Sequence, residues 1–448
     1  MTKNIYTFID LFAGLGGFHL ALAQLGHKCV FASELKEDLR NFYNVNFPDT
    51  PIKGDITQIA PKEIPNHDIL CGGFPCQPFS QAGKRQGFQD AAGRGNLFYN
   101  ICSIIDYHKP KYVFLENVQN LEGHDNGNTW KTIESSLIQL GYEVKKSILS
   151  PHQFGIPQHR KRIYIVCARK DMGGLSHFVY PSPTNATCNI NDIIDNTDVN
   201  IIKLRKESRE QLEVWEEFIH NTIKNGFQIP QFPIWAMEFG ATYDYKQIAP
   251  AFQERKNLIG KRGKLGQLID GNSLEECLSQ LPNYAQTSKT LSFPKWKISY
   301  IERNREFYEK NKSWLDEWIK KIVHFDNSFM KMEWNCKDKT TFTLQDKIVQ
   351  FRASGIRIKL PTFAPALNLV GTQIPVLPWV SIPDSVLETG EPSIGRYLSI
   401  KEAARLQGME SLKFGNDNYN LTLNRTYEAL GNAVNVEIVK KIANNLIV

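Results

Sequence analysis

One cysteine among the eight in this chain of 448 residues sits in a setting that core packing does not explain. Cys76 lies in Gly72-Gly73-Phe74-Pro75-Cys76-Gln77-Pro78-Phe79-Ser80, flanked by prolines, turn-formers and polar residues. Cys29, Cys71, Cys102 and Cys167 stand instead inside apolar runs, where free cysteine packs as a small hydrophobe. The run Asp68-Ile69-Leu70-Cys71 reads as a central strand that the two glycines break, so that the chain turns sharply and aims a thiol from the strand's carboxyl end. A thiol presented there suits a nucleophile, although the sequence names no group that lowers its pKa. Two further groups could join it. Glu116 closes the apolar run Lys111-Tyr112-Val113-Phe114-Leu115, and Arg160 and Arg162 open the run Ile163-Tyr164-Ile165-Val166-Cys167. Either arginine could hold a phosphate or a carbonyl oxygen, or be solvated surface.

The elements before this loop read as a place for a second reactant. Asn4 to Leu11 is a buried first strand, Phe12-Ala13-Gly14-Leu15-Gly16-Gly17 a glycine-rich turn, and Phe18 to Leu25 a helix that Gly26 ends. The turn lets backbone crowd a ligand, but His19 stands where a dinucleotide fingerprint wants its third glycine, which favours a cofactor without phosphates. Glu34, after the strand Cys29 to Ala32, is placed for the two hydroxyls of a ribose or for capping the next helix. Asp55 and Ile56 offer a carboxylate for an adenine amino group and an aliphatic face for its ring. An adenosine-containing cofactor fits these positions.

Length suggests two domains, and 42% hydrophobic residues supply a packed core. Neither a signal peptide nor a membrane span is expected, and the cysteines lack zinc spacing, so no metal site or disulfide is expected and a cytoplasmic setting is favoured. A net charge of +6 permits a polyanionic partner. Gln81 to Asn96, with Lys84, Arg85 and Arg94 among four glycines, reads as a basic lid beside the nucleophile. From Tyr180 the alternation of strands and helices stops. Leu212, Trp215, Ile219 and Ile223 form one helical stripe, and Ile301, Tyr308, Leu315, Trp318 and Ile322 another; both read as core. Loops, short strands and these two helices are the expected make-up. Arg255 and Arg262 lie in basic loops, and Phe351 to Lys359, which holds Arg352 and Arg357, alternates basic and apolar residues as a strand would.

Taken in order, these motifs resemble the cytosine-5 DNA methyltransferases of bacterial modification systems. Phe8 to Phe18 resembles the family's cofactor motif, Gly72 to Gly83 its Pro-Cys motif, Glu116-Asn117-Val118 its Glu-Asn-Val motif and Gln158 to Arg162 its Gln-x-Arg-x-Arg motif. Arg396 to Gly408 and Gly431-Asn432-Ala433-Val434 resemble its last two. The resemblance implies an α/β, Rossmann-like S-adenosylmethionine-dependent catalytic domain, residues 1–178 completed by 424–448. A variable target-recognition domain would span 179–423 and include the Arg396–Gly408 motif. It implies S-adenosylmethionine held by Phe12, Gly14, Gly16, Glu34, Asp55, Ile56, Pro75, Leu97, Asn432 and Val434. Leu35 stands where the family often has an aromatic residue against the adenine.

Catalysis would fall to Cys76, attacking carbon 6, and Glu116, at nitrogen 3 and the exocyclic amine. Arg162 would bind the carbonyl oxygen at carbon 2, and Arg160 the lid or a phosphate. Double-stranded DNA would meet Gln77, Ser80, Lys84, Arg85, Arg255, Arg262, Arg352 and Arg357, with the target base flipped out of the stack. A cognate restriction endonuclease, a monomeric state and a bacterial cytoplasm complete the expectation. A nicotinamide oxidoreductase would leave the Pro-Cys loop and Asn432 without purpose, and a silent DNA-binding module would leave the catalytic residues unused. Relatives that methylate transfer RNA carry a Cys-Phe-Thr signature absent here.

Overall fold

The computed structural model describes residues 4–75, 97–184, 186–337, 341–367, 373–415 and 421–447. Cys76, Gln77, Ser80, Lys84, Arg85 and the expected lid lie outside the described residues. Two compact units are present, one formed by Met1–Asp195, Thr362–Gly371 and Ser399–Val448, the other by Asn196–Pro361 and Thr372–Leu398.

The first unit is built on a seven-stranded sheet. Its strands are β1 (Thr7–Leu11), β2 (Lys28–Ser33), β3 (Ile52–Lys53), β4 (Ile69–Gly73), β5 (Tyr112–Val118), β6 (Tyr142–Leu149) and β8 (Arg162–Arg169), in the order β3-β2-β1-β4-β5-β8-β6. The short β7 (Gln158–His159) pairs outside it with Ala364–Pro365. The first five strands are parallel, and β8 runs antiparallel to both β5 and β6. The central strands β4, β5 and β8 are apolar on both faces because helices cover both, the pattern a doubly wound sheet demands. Antiparallel β8 therefore begins at the edge where β1, β2, β4 and β5 end. The register makes this concrete: Leu11 pairs with Gly72, Gly73 with Glu116, and Val118 with Arg162.

Two sequence expectations change. Gly72 and Gly73 do not break β4; they are its last residues and remain paired to β5. Absence of side chains there lets β4 lie close to its surroundings, since a Cβ on Gly73 would stand 3.2 Å from Val434. The unit boundaries also differ from the expected 1–178, 424–448 and 179–423 division, because Ile400–Gln407 belongs to the first unit. Buried Glu402 is the reason. Its carboxylate accepts the N–H groups of Asp195 and Ser399, both at 2.8 Å, while Arg405 donates to Ile193 O and Asp195 Oδ2. Asn435 Nδ2 ties the end of the same helix through Leu406 O at 3.0 Å. Arg396 falls in the second unit. The final helix, Val436–Leu446, packs on α1 (Gly17–Gln24) with Val436, Ile438, Ile442 and Leu446 inward, as its periodicity predicts.

The second unit is organised by a six-stranded sheet, which the expected loops, short strands and two helices did not include. Its strands run in the order Ile394–Tyr397, Val376–Ser381, Ile348–Arg352, Gly355–Lys359, Lys331–Asn335, Ile234–Trp235. Met332, Trp334, Val349, Phe351, Ile356 and Ile358 form its apolar face. Against that face pack Trp215, Phe218 and Ile219 from helix Lys206–Lys224, and Leu315, Trp318 and Ile322 from helix Lys295–Ile322. Both helical stripes are core, as expected.

Candidate active site

The turn after β1 is shaped by left-handed backbone at Phe12, Gly14 and Gly16, with φ of 57°, 54° and 81°. Its three glycines serve different ends. A Cβ on Gly16 would overlap the Phe47 ring and one on Gly17 would lie 2.6 Å from Val434 O, so both let α1 seat closely. Gly14 has open space where its Cβ would be, directly beside Glu34. That carboxylate accepts the Gly14 N–H on Oε2 and the Lys36 N–H on Oε1, each at 2.9 Å, which fixes it at the end of β2. Below the turn, wholly buried Asp10 accepts the His19 N–H at 3.2 Å, and burial raises its pKa well above the usual carboxylate range.

An open glycine turn next to a held carboxylate fits the adenosyl and amino-acid parts of S-adenosylmethionine. The neighbouring groups are less clear-cut. Asp55 caps Thr57 N at 2.9 Å and is half-buried, whereas Ile56 is buried in the sheet core. Leu35 is 66% exposed, so it adds an apolar side chain at the rim without a stacking face. Leu97, half-buried, opens the helix Leu97–His108, and Pro75 is exposed beyond β4.

The opposite side of the same edge carries the charged groups. Glu116 is 6% exposed, and Arg162 Nε lies 3.1 Å from its Oε1. Burial raises the Glu116 pKa, while Arg162 and then Arg160 oppose the rise. The ion pair is not aligned as a hydrogen bond, so Glu116 Oε1 has no hydrogen-bond partner among the described residues. A buried carboxyl with an unused oxygen and a raised pKa can donate or accept a proton-bearing contact from a ligand. Gly73 places β4 here, 3.8 Å from Glu116 Oε2 when measured from an ideal Cβ.

Asn117 had been noted only as a member of its motif. Its Nδ2 donates to Phe74 O at 2.8 Å and its Oδ1 accepts Val118 N–H at 2.8 Å, so β5 fixes the chain two residues before Cys76. The sequence signal was a buried amide at a strand end, which must find partners.

Arg160 is 2% exposed, and its guanidinium donates to Gly431 O and, at 2.9 Å, to Ala433 O. Burial pushes its pKa down to about 10. The two carbonyls flank Asn432, whose side chain is exposed, and Val434 beyond them is buried against Gly17 and Gly73. Arg160 is therefore a positioning residue for the Asn432 segment. Asn435, a residue that sequence reasoning missed, begins the last helix by accepting Ile438 N–H at 3.1 Å.

A family model described as C-5 cytosine-specific DNA methylase matches residues 6–448. The chain belongs to this family. The type II methyltransferase M.HhaI of Haemophilus parahaemolyticus is 46% identical over 187 residues, 42% of this chain and 56% of its own. M.HpaII of Haemophilus parainfluenzae is 49% identical over 201 residues, 44% of this chain and 55% of its own. The chain thus spans a little over half the length of these two. M.AluI of Cellulosimicrobium cellulans aligns with 98% of this chain and 91% of its own length at 31% identity. The crystal structure of S. pombe Dnmt2 methyltransferase covers 99% of the chain at 17% identity and a TM-score of 0.45, too loose a likeness to place residues.

The second unit's four expected DNA-facing arginines divide. Arg352 Nη2 and Arg357 Nε both reach Glu333 Oε2, at 2.9 and 3.1 Å, so this pair is already engaged on the sheet. Exposed Arg255 and Arg262 donate to the carbonyls of Gly271 and Gly266. No cluster of three or more metal-binding side chains occurs among the described residues, and no described helix is long and apolar enough to cross a membrane.

Proposed function

We propose that the chain is a DNA cytosine-5 methyltransferase that acts on one short duplex sequence and protects it from a paired restriction endonuclease. The observation that carries this reading is Glu116: a buried carboxyl with a raised pKa and an oxygen without a hydrogen-bond partner among the described residues, beside Arg162 and the end of β4. Such a group suits the edge of a pyrimidine that bears both an acceptor nitrogen and an amine.

Cys76, as thiolate, adds to carbon 6 of the flipped-out base, and Glu116 stabilises the enamine-like adduct by its contact at nitrogen 3. Arg162 takes the oxygen at carbon 2. S-adenosylmethionine, when bound, supplies the methyl group to carbon 5. Loss of the carbon 5 proton to water then re-forms the double bond and expels the Cys76 sulfur. Glu34 and the open turn at Gly14 hold the cofactor, and Arg160 keeps the Asn432 segment against it. Arg160 thus acts by positioning. In this reading the second unit recognises the target, the protein acts as a monomer, and both it and its endonuclease work in a bacterial cytoplasm.

The test is methyl transfer from labelled S-adenosylmethionine to unmethylated duplex DNA, with bisulfite sequencing to find the modified bases. Label confined to one sequence supports the proposal. Label that enters transfer RNA and never DNA removes it, as does no transfer to either.

A further inference from the structure

The second unit carries a cationic site that the reaction scheme leaves unused. Lys331, at the start of its strand, places Nζ 5.0 Å from the Tyr284 ring centroid and 5.8 Å from that of Trp235. Lys297, in the first turn of helix Lys295–Ile322, places its own Nζ 4.2 Å from the Phe293 ring and donates to Tyr284 O at 3.2 Å. Neither has a carboxylate partner among the described residues. Burial lowers both ammonium pKa values, and Lys297 lowers that of Lys331 further, so the two charges are near enough to repel.

Next to them stands Trp296, 55% exposed, set edge-on to Trp235 at 6.4 Å and to Tyr300 at 5.7 Å. The site is rigidly based. Lys331 is paired with Trp235 across the sheet, and on its other side Gly355 approaches so closely that a Cβ there would stand 2.8 Å from Lys331 Cβ. Two partly desolvated, mutually repelling ammonium groups carry a cost that an anion joining them would offset. An exposed tryptophan beside them adds an apolar platform.

We propose that Lys297 and Lys331 together grip the phosphate backbone of the duplex, with Trp296 packed on an adjoining sugar. This rests on the reading of the chain as a DNA methyltransferase and names a surface through which its second unit holds substrate. Duplex DNA carries one negative charge per about 1.7 Å of axis, so it can meet both lysines at once. Tyr284 and Trp235 act as the bed: their ring faces hold the alkyl stems and steady the ammonium groups by cation–π attraction until phosphate arrives.

The experiment measures binding of the full chain to a fluorescein-labelled duplex bearing its recognised sequence across a salt series, in the presence of S-adenosylhomocysteine. Each phosphate contact contributes about 0.9 to the slope of log affinity against log salt. K297Q/K331Q should lower that slope by about 2, with K331M alone, which keeps the stem over the rings, lowering it by about 1. Binding of S-adenosylhomocysteine should stay as in the wild type, and the melting temperature should hold or rise as repulsion is relieved. Trp296→Ala should weaken binding without altering the slope. An unchanged slope in K331M, or a double variant that melts early, would overturn the proposal while the methyltransferase reading stands. A wild-type chain with no salt-dependent affinity for duplex DNA would remove both.

Discussion

Replacing Arg160 by Met tests whether the clamp on Gly431 and Ala433 serves the cofactor or only the fold. The change orphans two carbonyls that the guanidinium now satisfies, at about 1–3 kcal/mol each. It also removes a charge whose pKa burial has pushed from 12.5 to about 10, a penalty of roughly 3 kcal/mol at 1.36 kcal/mol per unit. These effects largely cancel, so the net loss of stability is about 0–3 kcal/mol, a fall of a few degrees in melting temperature for a unit of this size. Cofactor affinity should respond more. Without the clamp, Asn432 and Ala433 must be ordered by the ligand itself, at about 1–2 kcal/mol of backbone entropy per residue. Binding of S-adenosylmethionine should therefore weaken roughly 30- to 700-fold, since 1.4 kcal/mol is a factor of ten. Isothermal titration of the cofactor, beside a thermal melt, measures both. A variant that melts a few degrees lower yet binds cofactor as tightly as the wild type would refute the reasoning and leave Arg160 a purely structural residue.

Glu116→Gln should abolish most methyl transfer, measured with labelled cofactor, while the chain stays folded. Because burial raises its pKa in the folded state, ionised Glu116 disfavours folding above that pKa, and the penalty fades as pH falls through the folded pKa and is gone below the unfolded value. The Gln variant should thus gain melting temperature over the wild type at pH 8 and lose that advantage by pH 4. Gly17→Ala forces a methyl to 2.6 Å from Val434 O and should destabilise by about 1–3 kcal/mol in a denaturant melt. Gly14→Ala meets open space, so beyond the strain of its left-handed backbone it should act chiefly on cofactor affinity, read by the same titration.

Much of the first unit was legible because local chemistry and tertiary role coincide there. Apolar runs of strand length, ended by glycine, glutamate or arginine, marked β1, β2, β4, β5 and β8, and the edge they share followed from their order. Glu34 and Glu116 were readable for the same reason: a carboxylate that follows a buried strand has one place to go. Local reasoning failed where a partner lay far along the chain. Arg160 meets carbonyls more than 270 residues away, and Glu402 joins its helix to Asp195 across 207 positions. No period or turn signal encodes such pairings. Arg352 and Arg357 looked alike as basic strand residues, and the fold brings both to Glu333, one strand away from Arg357 and two from Arg352.

The sequence by itself determined the reactive side chains and the sheet edge that presents them, since strand ends and glycine turns are short-range features that each segment carries alone. Only the tertiary structure decided which charges are spent inside the protein and which remain for a ligand. Arg160, Arg352 and Arg357 are engaged by groups distant in sequence, while among the described residues Lys297 and Lys331 meet only ring faces and a carbonyl. Whether a charge is paired depends on what the fold brings within a few ångströms of it, and that distance is set by packing across the whole chain.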